Sequence, residues 1–115
     1  MNDLFVAAVE RVSHVAGVRG VLLVESEAGV PVVSELREGI NETAVAALAA
    51  SLFRRTAEAS ETADFGRLNT LQLEADEGHV VAVDAGEMIL VVVAEHDAQL
   101  GMIRYEAHRA AESLA

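Results

Sequence analysis

The sequence predicts an α/β domain of the α+β kind, with three helices around a five-stranded antiparallel sheet. Three observations predict it. Three stretches repeat apolar residues at helical spacing, and five short runs rich in Val, Leu and Ile read as strands. Short turn sequences such as 26–29, 76–78 and 86–87 join consecutive strands, which is how antiparallel neighbours connect.

Asp3 is placed to cap a first helix in which Phe5, Val9, Val12 and Ala16 form one stripe, ending at Gly17. Gly20 to Glu25 and Val30 to Leu36 read as two strands of a hairpin around Ser26-Glu27-Ala28-Gly29. After a polar loop, Asn41 caps a long helix running to about Ala63, with Glu42 complementing the helix dipole and Phe65-Gly66 closing it. Leu68 to Glu74, His79 to Ala85 and Met88 to Ala94 follow as a meander. A last helix, expected to be capped by Asp97, aligns Leu100, Ile103, Ala107, Ala110 and Leu114, with Gly101 a mild internal weakness.

The runs Val21–Val24, Val80–Val83 and Met88–Ala94 are continuously apolar and need cover on both faces, so they are central strands. Pro31 cannot donate a ladder hydrogen bond, which places the second strand at an edge. The third strand alternates Leu71 and Leu73 with Thr70, Gln72 and Glu74, as a less covered strand does. It is the other edge, and it carries neither Pro nor Lys to discourage pairing. An edge paired with another chain accounts for this; so does a short or twisted edge that needs no protection.

The long helix has two apolar stripes. Val45, Leu48, Ala49 and Leu52 are expected to pack on the sheet, leaving Ala46, Ala50, Phe53 and Ala57 turned away from it and uncovered. Alanine is a strong helix former that tolerates exposure, but Phe53 does not fit that explanation. The outward stripe and the unprotected third strand together predict a two-fold dimer, with Thr70 and Gln72 joining Ala46, Ala50, Phe53 and Ala57 at the interface.

Length and composition bound the rest. The 115 residues match one domain over 1–115, with a core built from aliphatic side chains since only 3% of residues are aromatic. A formal net charge of -11 disfavours nucleic acid and anionic membrane as partners. All 8 basic residues are Arg, to which no function attaches. Without Cys there is no disulfide, thiolate metal site or cysteine nucleophile. No signal peptide or membrane span is apparent, which predicts a soluble cytoplasmic protein.

Val15 to Val24 followed by Gly29-Val30-Pro31-Val32 resembles the opening hairpin of Roadblock-type dynein light-chain domains. Ala44 to Phe53 resembles that family's Ala-rich long helix, and Gln99 to Arg104 the start of its final helix, so the likeness spans almost the whole chain. The resemblance implies a sheet ordered 2-1-5-4-3, with the first and last helices on one face and the long helix on the other. It also implies dimers joined through the long helix and third strand. Bacterial and archaeal members of the MglB type are partners of small Ras-like GTPases of the MglA type, and others are scaffolds in motor and lysosomal-surface complexes.

The chain has no GxxxxGK[ST] loop, so a GTPase would be its partner and not its own activity. Arg54 and Arg55 are the candidates for contact with such a partner, set against a solvated pair in which Arg54 meets Glu58. The expectation is regulation by reshaping the GTPase's loops. His14, His79, His96 and His108 lack ligand spacing and are expected at the surface, and no serine lies in a nucleophile elbow. Arg104, Tyr105 and Arg109 read as a polar outer face of the last helix, with a second docking surface as the alternative. The chain is thus expected to be a non-enzymatic, cofactor-free regulator or adaptor. The alternatives are a scaffold subunit without nucleotide linkage and a profilin-like small-molecule sensor.

Overall fold

The computed structural model describes residues 2–114; Met1 and Ala115, the ends of the expected 1–115 domain, lie outside them. The elements are α1 (Asp3–Ser13), β1 (Val18–Glu25), β2 (Pro31–Leu36), α2 (Glu42–Thr62), β3 (Thr70–Ala75), β4 (Gly78–Ala85), β5 (Met88–Ala94) and α3 (Leu100–Glu112). The strands form one sheet in the order β2-β1-β5-β4-β3, with every neighbouring pair antiparallel. The continuously apolar runs occupy its centre and the Pro31 strand and the alternating strand its edges, as the sequence predicts. Near Pro31 the β1–β2 register shifts between Leu23 and Val24.

The two faces of the central strands fill two cores. Val21, Leu23, Val81, Val83, Leu90 and Val92 pack with Val9 and Val12 of α1 and Ile103, Ala107 and Ala110 of α3. Leu22, Val24, Ala82, Ile89 and Val91 pack on the opposite face with Ala46, Ala49, Ala50 and Phe53 of α2. Strand periodicity of two sorts neighbouring residues into these layers, which is why the central runs carry no polar alternation.

Both outer helices depart locally from expectation. Asn2, not Asp3, caps α1, its side chain accepting from the Leu4 N–H at 2.9 Å, while Asp3 stands in the first turn. The helix stops at Ser13, so Ala16 lies beyond it and is exposed. Ser13 Oγ and His14 Nδ1 both donate to the Glu10 carbonyl at 2.7 Å, capping a group that another turn would use. In α3 the N-cap position belongs to Gln99, which makes no side-chain cap bond. A turn closed from Ala98 N–H to the Glu95 carbonyl at 3.0 Å delays the helix and leaves Asp97 too early to cap it. The expected α3 stripe holds up to the helix end: Ile103, Ala107 and Ala110 are buried and Leu100 half-buried, while Leu114, also half-buried, lies beyond the C-cap Ser113.

One histidine is not at the surface. His79 is buried on β4, where its Nε2 donates to the His96 carbonyl at 2.9 Å and its ring stacks on that of His96, centroids 6.0 Å apart. His79 is the second residue of β4 and shares the face of Val81 and Val83, the one covered by α1 and α3, which a list of isolated histidines does not reveal. Among the described residues no group of three His, Asp or Glu side chains is arranged to hold a metal ion, and no helix is long and apolar enough to cross a membrane.

Candidate interaction surfaces on helix α2 and strand β3

Helix α2 lies on the sheet by its alanine side. Ala46 and Ala50 are 0% and 1% exposed and Phe53 only 8%, all in the core with Leu22, Val24, Ile89 and Val91; Ala57 is half-buried. The expected outward turn of this stripe is therefore reversed. Small side chains let the helix come close to the sheet and the β1–β2 turn: a Cβ on Gly29 would stand 3.3 Å from that of Ala50. Leucines at those positions would hold the helix off. The outer side instead carries Leu48, 44% exposed, with Leu52 half-buried and Ala44 exposed, while Val45 packs at the margin of the core. Ala49 alone of the stripe expected to face the sheet is fully buried.

Strand β3 leaves one edge of the sheet unpaired by any described strand. The Asp84 N–H donates to the Asn69 carbonyl at 3.0 Å, which makes Asn69 and Asp84 a hydrogen-bonded pair. Hydrogen-bonded pairs alternate along an antiparallel ladder, so in the β3–β4 register Leu71 and Leu73 turn their backbone groups to β4. Thr70, Gln72 and Glu74 present theirs to the open edge. The side chains of the first two are already engaged within the chain. Thr70 Oγ1 lies 2.8 Å from His108 Nε2, and Gln72 Oε1 accepts from Arg104 at 3.3 Å. All three offer another chain main-chain hydrogen bonding, and Glu74 adds an exposed carboxylate.

The two arginines of α2 have different environments. Arg54 Nη1 donates to the carbonyl oxygens of Ser26 and Glu27 at 3.1 and 3.0 Å, tying the helix to the β1–β2 turn in place of the expected pairing with Glu58. Arg55 is exposed and, among the described residues, makes no ion pair or side-chain hydrogen bond. Beside Arg54 an open depression of about 230 Å³ is floored by Phe53, Leu68 and Ile89 and rimmed by Glu61, Arg67 and Asp84. Arg67 Nε and Asp84 Oδ2 are 2.6 Å apart there, and this hydrogen-bonded pairing raises the guanidinium pKa above its ordinary value.

The helix ends in a display that sequence reading treated only as a stop signal. Ala63 is the C-cap, and Asp64 and Gly66 both adopt positive φ, 65° and 83°. Phe65 between them is 86% exposed, and the turn is fixed by Phe65 N–H to the Ser60 carbonyl and Ser60 Oγ to the Gly66 carbonyl, at 2.9 and 2.8 Å. A lone Phe-Gly pair after a helix carries no signal that distinguishes an exposed ring from a buried one.

Known proteins are similar to this chain in sequence and in shape. The Roadblock/LC7 domain family matches residues 4–94. The chain is 32% identical over 98 residues to the uncharacterized protein MJ1340 of Methanocaldococcus jannaschii, covering 85% of each chain. Its fold is similar to that of Myxococcus xanthus MglB, with a TM-score of 0.86 at 20% identity, covering 97% of this chain and 92% of that one. The gliding protein MglB of Thermus thermophilus is similar with a TM-score of 0.84 at 22% identity, over 98% and 87% of the two chains. The order of strands, the separate cores on the two faces and these matches agree, and the chain belongs to the Roadblock/LC7 domain family.

Proposed function

We propose that this protein is a non-enzymatic homodimeric regulator or adaptor that binds a small Ras-like GTPase of the MglA type. One juxtaposition carries the reading: the outer side of α2, with Leu48 exposed, occurs in the same molecule as the open backbone edge of β3. An apolar helix face and an unpaired edge are both costly in isolation and both relieved by a second copy across a two-fold axis. In such a dimer Thr70, Gln72 and Glu74 would supply the main-chain bonds and Leu48 and Leu52 the apolar contact. Ala46, Ala50, Phe53 and Ala57 would contribute by setting how closely α2 lies on its own sheet.

The GTPase enters by family likeness, supported by the similarity to two proteins named MglB. Arg55, exposed and without an ion partner among the described residues, is the better placed of the two candidate arginines to meet it, because Arg54 is committed to the turn. The depressions of the surface open to solvent, which suits docking of chains more than an enclosed ligand chamber. Sedimentation velocity at micromolar concentration, followed by pulldown of a Ras-like GTPase from the same genome loaded with GDP or a GTP analogue, tests both halves. A monomer overturns the first, and no capture in either nucleotide state overturns the second; equal capture in both states turns the reading to a scaffold without nucleotide linkage.

A further inference from the structure

A groove runs between α1 and edge strand β2, away from α2 and β3. Two depressions of about 470 and 480 Å³ meet at Val32, which is 45% exposed. The first has Phe5, Val32 and Met88 as its apolar lining, with Glu25, Glu27 and Glu87 around them. The second continues along α1 past Val6 and Val9 to Glu10 and Glu35. Five glutamates and no basic residue line the two. Arg54, which reaches the β1–β2 turn, is spent on carbonyl oxygens and does not line the groove.

The acidic end is built firmly. The N–H and Oγ–H of Ser26 both donate to the Glu87 carbonyl, at 3.1 and 2.8 Å, locking the β1–β2 and β4–β5 turns together. The Glu25 carboxylate accepts from the N–H groups of Ala28 and Glu27 at 2.6 and 3.0 Å, which fixes its position and holds it ionised. Carboxylates gathered around half-buried Phe5 and Met88 and exposed Val32 repel one another, with Arg54 acting on Glu25 only as a minor charge, and so favour the arrival of further positive charge. From this complementarity of charge and apolar surface we infer that the groove binds a cationic amphipathic segment of a partner protein. Its Lys or Arg side chains would meet the glutamates while its apolar side chains cover Val32, Phe5 and Met88.

The test uses a short fluorescein-labelled peptide repeating Leu-Lys-Lys-Leu, titrated with the full chain and read by fluorescence anisotropy at about 0.15 M salt. Glu27→Gln with Glu87→Gln removes two charges from the groove, and Asp76→Asn with Glu77→Gln removes two from the exposed β3–β4 turn. The groove pair, and separately Val32→Ser, are expected to weaken binding about tenfold, and the turn pair less than about twofold. Equal weakening by the two pairs would show general attraction to an acidic protein and overturn the proposal. So would an unaffected Val32→Ser variant, or no binding by the wild-type chain. Self-association is read independently by sedimentation, so failure here leaves the α2 and β3 reading standing, and the reverse.

Discussion

Leu48 and Phe53 are five residues apart on α2 and face opposite ways, Leu48 44% and Phe53 8% exposed. Phe53→Ala is expected to destabilise the fold by about 3 kcal/mol, because it empties a space against Leu22, Val24 and Ile89. Leu48→Asp should leave the unfolding free energy of the dilute chain within about 0.5 kcal/mol while abolishing self-association. Urea unfolding and sedimentation on the two variants check the pair. A Leu48→Asp protein that still sediments as a dimer would place the contact elsewhere.

The alternation of β3 separates two prolines. The Gln72 N–H faces the open edge, so Gln72→Pro should keep the monomer folded and block pairing with a second β3. The Leu71 N–H faces β4, so Leu71→Pro should cost about 2 kcal/mol or more by leaving the opposing carbonyl without its donor. Circular dichroism reads the fold and light scattering the mass. Reversed results would mean that the ladder is offset by one residue.

Two glycines with positive φ are expected to respond unequally to alanine. A Cβ on Gly86 (φ 82°) meets nothing within 4 Å, so Gly86→Ala should cost only the backbone strain, about 1–2 kcal/mol. At Gly78 (φ 148°) it would stand 2.5 Å from the Ala94 carbonyl oxygen, so strain and clash combine to on the order of 3 kcal/mol. Differential scanning calorimetry should give the lower Tm for Gly78→Ala.

Much of this architecture was legible in the residues. Continuous apolar runs can only be central strands, Pro31 can only weaken an edge, and Asn41 caps α2 as its side-chain chemistry predicts, accepting from the Ala44 N–H at 3.0 Å. The face of α2 was not legible. Two stripes differ by a fraction of a turn, and hydrophobicity favours the leucines, whereas the outcome turns on how near the helix can approach Gly29. The role of Arg54 was hidden for a related reason: its acceptors are backbone carbonyls of residues far off in the chain, and a carbonyl is the same in every sequence.

Glu25 gives a pH test. Hydrogen bonds from the Ala28 and then the Glu27 N–H hold its carboxyl below the ordinary glutamate range, with a smaller contribution from Arg54. A depressed folded-state pKa adds stability above the unfolded value, and that stability is lost as pH falls through the folded value. The stability advantage of wild type over Glu25→Gln should therefore be full near neutral pH and shrink once pH drops below the ordinary glutamate range. Urea midpoints measured from about pH 7 to about pH 3 give the curve. A constant difference would show that the carboxylate's charge does not hold the turn.

All four buried side chains of α2 fall at or before Phe53, so the nine residues Arg54–Thr62 run on without a single fully buried anchor. A helix held in that way has uneven footing. Its first half is bolted to the sheet, while its second is steadied only by the bonds of Arg54, by the half-buried Thr56, Ala57 and Ser60, and by its own turns. Amide hydrogens along that free span should exchange with solvent well before those of the first half. The exposed Phe65 rides at its tip, and anything that grips the ring would quiet the whole overhang.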